Sequence, residues 1–245
     1  MKRYLRYVGS KNRIAKYIVP LIQSYIRDDT KGYLEPFVGG ANVIDKIDCQ
    51  NKIGCDIHKN LIALLRKVQD DITDIPDCIL EDEYHAVKNN QDNYPEWYVG
   101  LVGFCSSFGA KYFGGYARNS KDDSSGKWSI GAISNLKKQA PNLRNIDFFC
   151  KDFKEIDINR LKGYVVYCDI PYRDTTKYAT KAFPYEDFYE WCEEVSKNNV
   201  VLISEYSMPN NFRCILEIPH RTLLDSNKNT DDCKNVRMER LYIAS

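Results

Sequence analysis

The sequence predicts an α/β fold whose mixed, mainly parallel sheet is interrupted by a small insertion. Short apolar strands alternate with amphipathic helices in residues 1–70 and again in residues 146–245, which is typical of a parallel sheet flanked by helices. Between them, residues 71–145 lose this alternation and are rich in Asp, Asn, Gly, Ser and aromatic residues. We therefore predict one discontinuous α/β domain carrying one inserted segment.

The first part of the chain contains helices and strands in alternation. Apolar residues between Ile14 and Tyr25 recur at helical spacing, and Pro20 is expected to kink or interrupt that helix. Two strands follow, and each leads into a helix. The strands are predicted at residues 33–38 and 52–56, and the helices from about Ala41 and at residues 58–68.

The later part of the chain resumes this pattern and ends differently. Strands are predicted at residues 146–150, 164–168 and 200–203, with a helix at 185–197. Residues 212–218 and 236–243 are predicted to be antiparallel strands that close a mixed sheet. Within the insertion, residues 114–129 are expected to form a β-hairpin whose tip lies at residues 122–126.

The composition excludes several classes of protein. Lys and Arg total 35 and Asp and Glu total 34, so the formal net charge is +1 and no polybasic protein is indicated. No apolar run approaches the roughly 20 residues of a membrane span. The nine cysteines contain no Cys-x-x-Cys pair, and with only three histidines no zinc-site spacing occurs. We expect a cytoplasmic protein with reduced thiols and neither a metal nor a membrane partner.

Two segments near the N-terminus are suited to binding a small ligand. Gly9-Ser10-Lys11 enters a helix, so backbone N–H groups and an ammonium could hold an anion, although a capped surface helix is the simpler alternative. Glu35-Pro36-Phe37-Val38-Gly39-Gly40-Ala41 ends the first strand, where glycines let a ligand approach the backbone. This run is not a G-x-G-x-x-G fingerprint.

Two acidic residues end buried strands. Asp56 follows the second strand, where a carboxylate can bind ribose hydroxyls or simply cap the next helix. Asp169-Ile170-Pro171-Tyr172 directly follows the strand at 164–168. A carboxylate and a carbonyl there could accept both protons of a planar amine while the tyrosine ring stacks on it. A proline turn with a capping aspartate is the alternative.

In their order along the chain, these segments resemble the Dam-type, or alpha-group, N6-adenine DNA methyltransferases. That family has a Gly-x-x-Lys segment, an E-P-F-x-G segment, an acidic strand end, a target-recognition insertion and D-P-P-Y. The resemblance implies a Rossmann-like methyltransferase fold. It divides the chain into a catalytic domain at 1–70 and 146–245 and a mostly helical DNA-binding insertion at 71–145. The last segment departs from D-P-P-Y at one residue: Ile170 stands where the family has proline.

The resemblance implies S-adenosylmethionine as cofactor, double-stranded DNA as partner, a flipped-out adenine as substrate, and a monomer in a bacterial or phage-infected cell, with an association with restriction–modification. Asp169, Ile170, Pro171 and Tyr172 would be catalytic. The residues implied in cofactor binding are Tyr7, Gly9, Ser10, Lys11, Glu35, Pro36, Phe37, Gly39, Gly40, Asp56, Ile57, Asp152, Phe153 and Asp169. Those implied in DNA binding are Lys11, Arg13, Lys111, Tyr116, Arg118, Asn119 and Lys127.

Other functions fit the same sequence features. A methyltransferase acting on RNA or on a protein amide would use the same fold. The replacement at Ile170 leaves room for a non-catalytic DNA-binding or cofactor-sensing relative, and a nucleotide-binding regulator would need no tyrosine at position 172. For Phe153, packing in the core is the alternative to cofactor contact.

Overall fold

A seven-stranded mixed sheet forms the centre of the protein. The computed structural model describes residues 10–118, 125–171, 183–221 and 236–244. The strand order across the sheet is β3-β2-β1-β4-β5-β7-β6. The strands are β1 (Gly32–Glu35), β2 (Lys52–Asp56), β3 (Ile146–Cys150), β4 (Tyr164–Asp169), β5 (Val200–Glu205), β6 (Phe212–Arg221) and β7 (Val236–Ala244). All seven predicted strands are present.

Six α-helices surround this sheet in the described residues. They are α1 (Ala15–Tyr25), α2 (Lys59–Asp70), α3 (Glu81–Asn89), α4 (Glu96–Cys105), α5 (Lys127–Leu143) and α6 (Tyr185–Ser196). None of the helices described is long and apolar enough to cross a bilayer. One prediction about helices was wrong, since the helix expected from Ala41 is only a single 3-10 turn, Ile44–Lys46. Pro20 lies inside α1 without interrupting it, and the kink expected there stays a prediction.

The strands β1 to β5 are parallel, so their carboxyl ends lie along one edge of the sheet. β1 pairs in parallel with β2 and β4, and the parallel set continues through β3 and β5. β7 is antiparallel to both β5 and β6, as predicted for the C-terminal strands. The strand order reverses between β1 and β4, and in doubly wound sheets ligands bind in the crevice at such a reversal.

Successive side chains of the strands belong alternately to two apolar clusters, one on each face of the sheet. Tyr33, Tyr167 and Leu241 belong to a cluster packed with α1, α2, α4 and α5, whereas Leu34 and Val166 belong to a cluster packed with α6. Successive strand residues point to opposite faces, so both faces of the central strands are buried. The mainly parallel, Rossmann-like sheet expected from the sequence is thus confirmed.

The predicted insertion is mostly helical, containing α3, α4 and α5, and its apolar residues join the same core as α1 and α2. The hairpin prediction was wrong at its C-terminal end, because residues 127–129 form the first turn of α5. Of the predicted tip, residues 122–126, the first three lie outside the described part of the chain. Among the described residues of the insertion, one isolated antiparallel β-bridge occurs, between Ser107 and Tyr116.

Helices α2 and α4 pack backbone to backbone at Gly100. A Cβ added there would lie 2.1 Å from the carbonyl oxygen of Asn60. We expect Gly100→Ala to lower the free energy of unfolding by about 3 kcal/mol, because the two helices must separate to admit a methyl group. Urea unfolding followed by circular dichroism measures this loss.

Gly131 is the matched control, since it lies in helix α5 and an added Cβ there meets no atom within 4 Å. We expect Gly131→Ala to raise the unfolding free energy by up to about 1 kcal/mol through helix propensity. Equal stabilities for the two variants would contradict the close approach of α2 to α4.

Candidate active site

Three carboxylates stand at the carboxyl edge of neighbouring strands. Glu35 ends β1, Asp56 ends β2 and Asp169 ends β4. These three strands are adjacent and parallel, so their ends meet on both sides of the reversal point. Residues separated by more than a hundred positions in the sequence are thereby collected into one site.

Glu35 is almost completely buried. Its Oε1 accepts a hydrogen bond of 2.7 Å from the hydroxyl of Tyr33, which lies two residues earlier on the same face of β1. Burial raises the pKa of Glu35 well above its usual value, and the bond from Tyr33 opposes that rise only in part. A cationic group placed at this edge would therefore meet a strongly basic carboxylate.

Asp56 organises the backbone around itself. Its two oxygens accept hydrogen bonds from the backbone N–H of Gly39 at 3.1 Å and of His58 at 2.9 Å. Burial raises the pKa of the carboxyl, and these backbone bonds oppose the rise. The N-cap of α2 is His58 itself, whose Nδ1 accepts from the N–H of Leu61. Asp56 thus fixes the turn before that cap and the glycine turn at the end of β1.

The glycine turn is also held from the insertion side. Gly39 has a φ of +48°, a left-handed conformation that glycine adopts without steric cost. The side-chain amide of Gln139, fully buried on α5, donates to the carbonyl oxygens of Gly40 at 3.1 Å and Ala41 at 3.2 Å. Gln139 is not predicted from the sequence, because nothing in its local pattern distinguishes it from other polar helix residues.

Lys11 is placed against Asp169 instead of on a surface helix. The lysine is 4% exposed, and its Nζ lies 2.5 Å from Oδ1 of Asp169. Burial lowers the pKa of Lys11, but Asp169 and Glu239 together outweigh it and the net shift is upward. Ser10 begins the short turn, with its hydroxyl accepting from the N–H of Asn12. The predicted role of Lys11 in DNA binding stays a prediction.

The segment after Asp169 is anchored by two contacts. The side chain of Ile170 is 2% exposed and belongs to the apolar cluster beside α6. The hydroxyl of Tyr185, the first residue of α6, donates to the carbonyl oxygen of Pro171 at 2.8 Å. Tyr185 is a second residue that sequence reasoning missed. Tyr172, predicted to stack on a substrate base, lies outside the described residues, as do Tyr7 and Gly9.

The predicted adenine-binding pair, Asp152 and Phe153, lies just beyond β3. Asp152 forms a capping box with Glu155 around a short 3-10 turn. Phe153 is 3% exposed, and its ring centroid lies 5.6 Å from that of Phe37, in a cluster with Phe188. Phe37 is the more exposed of the two rings. Cofactor contact by Phe153 stays a prediction, and its packing in the core is evident.

Comparison with known proteins identifies the family to which the chain belongs. The model of the D12 class N6 adenine-specific DNA methyltransferases matches residues 7–102 and 98–217. The chain belongs to this family. It is therefore an adenine-specific DNA methyltransferase, and Asp169-Ile170-Pro171-Tyr172 lies within the matched region.

Two curated relatives agree with the family assignment. The chain is 25% identical over 205 residues to the type II methyltransferase M.MjaIII of Methanocaldococcus jannaschii, covering 72% of this chain and 71% of that protein. It is 27% identical over 199 residues to the type II methyltransferase M.FokI of Planomicrobium okeanokoites, covering 72% of this chain but only 30% of that protein.

A solved structure from Thermoplasma acidophilum, described as a proposed methyltransferase, is 11% identical and covers 48% of this chain and 52% of that one. Its TM-score is 0.26, which is too low to bear on the fold. The fold assignment for this methyltransferase therefore rests on its own strand order and on the family match.

The predicted DNA-binding residues of the methyltransferase fall into two groups. Arg118 forms a two-pronged ion pair with Glu81, and the hydroxyl of Tyr116 donates to the carbonyl oxygen of Ile79 at 3.0 Å. Both side chains are thus tied to the insertion itself. The others are placed as follows: Arg13 and Lys127 are exposed, Lys111 is half-buried, and Asn119 lies outside the described residues.

The loop at 106–118 lies beside the start of α2. Its Tyr112 ring packs against His58 with centroids 4.4 Å apart, and its hydroxyl accepts from Nδ2 of Asn60 at 2.7 Å. His58 follows Asp56 by two residues, so this loop adjoins the edge that carries the carboxylates. Phe108 in the same loop is 67% exposed. In the part of the chain that the structure describes, no cluster of three potential metal ligands occurs.

Proposed function

We propose that this methyltransferase transfers a methyl group from S-adenosylmethionine to N6 of an adenine flipped out of double-stranded DNA at a specific site. The observation that carries the proposal is the position of Asp169. Its carboxylate ends β4 beside the reversal point of the sheet, with one oxygen held by Lys11. The family match supplies the adenine specificity, and the edge geometry supports the roles of the residues.

The residues at the edge fit S-adenosylmethionine chemically. The cofactor carries an ammonium, a sulfonium and two ribose hydroxyls, and the edge offers the carboxylates of Glu35 and Asp56 to such groups. The buried turn at Gly39 and Gly40 allows close approach of the ligand to the backbone. Phe37, the more exposed ring of the aromatic cluster, would cover one face of the cofactor's adenine. When bound, S-adenosylmethionine supplies the methyl group, and the electron pair of its C–S bond stays on sulfur.

Asp169 and the carbonyl of Ile170 would activate the target amine. The N6 lone pair of adenine is delocalised into the ring, so the amine is a weak nucleophile. Two acceptors on its two N–H groups localise the lone pair and stabilise the positive charge that develops on nitrogen. As the new N–C bond forms, one N6 proton passes to the carboxylate of Asp169 and then to water. Any residue supplies the carbonyl at position 170, so Ile170 preserves this function.

The rate of methyl transfer should fall in acid. Burial raises the pKa of Asp169 to about 6, although Lys11 opposes the rise. A protonated carboxyl cannot accept the N6 proton, so we expect the single-turnover rate to decline about tenfold per unit below pH 6 and to be level above pH 7. Rates from pH 5 to 8 measure this, with circular dichroism at pH 5 as the control for folding. A constant rate down to pH 5 would contradict the role of Asp169.

DNA contact would come from the insertion, residues 71–145, and from the exposed Arg13. Lys111 and Lys127 supply positive charge for phosphates, and Arg118 would exchange Glu81 for a base edge or a phosphate. The exposed ring of Phe108 lies in the loop that adjoins the carboxylate edge, where an apolar side chain can wedge into the space left by a flipped base. We expect the protein to act as a monomer in the cytoplasm of a bacterial cell.

Expression in a bacterial host without adenine methylation tests the proposed function. Single-molecule sequencing of the host DNA should show N6-methyladenine confined to one short sequence. An oligonucleotide with 2-aminopurine at that adenine should then gain fluorescence on binding, because the base leaves the stack. Methylation of RNA or protein with none of the DNA would refute the proposal, and methylation scattered over all adenines would refute site specificity.

A further inference from the structure

We propose that Glu239 is a positioning residue for the methyl transfer, holding the ammonium of Lys11 so that Asp169 keeps a net negative charge toward the target amine. This inference rests on the proposed function of Asp169. It adds a third member, from the opposite end of the chain, to the pair formed by Lys11 and Asp169. Glu239 is 2% exposed, and its Oε1 lies 3.6 Å from Nζ of Lys11.

The sheet register explains why Glu239 reaches this point. Asp169 on β4 is paired with Ser204 on β5, and Ser204 is paired with Leu241 on β7. Paired residues project to the same face, and Glu239 shares the face of Leu241 because it lies two residues earlier. The antiparallel direction of β7 therefore brings a carboxylate to the face on which Lys11 packs.

The charges of this cluster are unequal. Two carboxylates and one ammonium leave a surplus of one negative charge, whereas Lys11 and Asp169 alone would be neutral. A neutral ion pair stabilises a developing cation weakly, since the ammonium repels what the carboxylate attracts. With Glu239 sharing the ammonium, the second oxygen of Asp169 retains negative charge for the N6 proton.

Other titratable groups also face this cluster among the described residues. Tyr167 on β4 and Glu35 on β1 lie on the same face as Asp169, and Tyr206, just after β5, faces Lys11. The hydroxyl of Tyr167 hydrogen-bonds with that of Ser204 at 2.8 Å, and Glu35 is bonded by Tyr33. Among the charged groups acting on Asp169, Lys11 lowers its pKa and Glu239 raises it.

Glu239→Gln tests the proposal, because the amide keeps the shape and removes the charge. Two measurements apply to the whole 245-residue chain: the pH dependence of the single-turnover rate, and the pKa of Asp169 from carboxyl ¹³C resonances, assigned with Asp169→Asn. We expect the pKa of Asp169 and the acid limb of the rate to move together to lower pH. The rate above pH 7 should fall about tenfold. Glu194→Gln is the matched control, a surface carboxylate on α6 paired with Lys197.

The outcomes separate this inference from the proposed function. A lower rate at every pH with an unmoved acid limb and an unmoved Asp169 pKa would make Glu239 merely structural and overturn the inference. If the wild-type protein methylated no DNA, the proposed function would fail, while the ¹³C pKa would still decide whether Glu239 acts on Asp169. Glu239→Asp keeps the charge and should keep the acid limb near pH 6. If Glu239→Asp moved the acid limb of the rate as far as Glu239→Gln does, the inference would also be overturned.

Discussion

Asp169→Asn should lower the rate of methyl transfer by about a hundredfold to a thousandfold, with the cofactor affinity changed only a few-fold. The amide retains the size of the carboxyl, but it loses the charge that stabilises the developing cation and turns one acceptor into a donor. Removal of a single preorganised electrostatic partner at a reacting centre has effects of this size. Single-turnover kinetics at pH 8, with saturating cofactor and DNA, measure the loss.

The control for Asp169→Asn is Asp74→Asn. Asp74 also pairs with a lysine, Lys67, at 3.1 Å, but it is exposed and follows the C-terminal end of α2, whereas Asp56 lies before the N-terminal end of that helix. Exposed ion pairs contribute little, so this variant should keep the wild-type rate and stability. An Asp169→Asn protein that binds cofactor and DNA normally and methylates at full rate would show that the amine is activated by other groups.

Asp56→Asn should weaken cofactor binding by about tenfold to a hundredfold. The buried carboxylate accepts from the backbone N–H of both Gly39 and His58, and an amide can accept from only one of them. The other N–H would face an NH₂ group, which costs roughly 1.5–3 kcal/mol for a bond to a charged group. The loosened glycine turn would then no longer be shaped for the ligand. Titration calorimetry with S-adenosylmethionine measures the affinity.

Asp157→Asn is the matched control for Asp56→Asn. Asp157 also accepts from a backbone N–H, that of Asn159 at 3.1 Å, but it caps a short surface turn. Its replacement should leave cofactor affinity unchanged. If both variants bound the cofactor as the wild type does, Asp56 would have no part in shaping the site.

The strands could be predicted well from the sequence because their signals are local. The run of apolar residues in β4, for example, is bounded by turn residues and has no competing interpretation. The errors arose where local signals conflict. The glycines and polar residues at 114–126 suggested a hairpin, but the apolar positions Ala132, Ile133 and Leu136 extend a helix that packs into the core and begins at Lys127.

The parts of the site that depend on long-range contacts could not be predicted. Lys11 and Asp169 are 158 residues apart, and nothing in either segment indicates a 2.5 Å contact between them. The same holds for Gln139 and the glycine turn. The position of Glu239 could be predicted in part, since the alternation of side chains along β7 places it on the same face as Leu241. The register that joins this face to Asp169 requires the strand order 4-5-7, which no local pattern encodes.

The identity of the methylated nucleoside tests the central claim most directly. Purified protein would be incubated with S-adenosylmethionine and unmethylated double-stranded DNA, and the digested nucleosides would be separated by mass spectrometry. The wild-type protein should yield N6-methyl-2′-deoxyadenosine as its methylated product, and Asp169→Asn should yield a hundredth as much or less in the same time. Methylation at a cytosine, or equal yields from the two proteins, would contradict adenine activation at the end of β4.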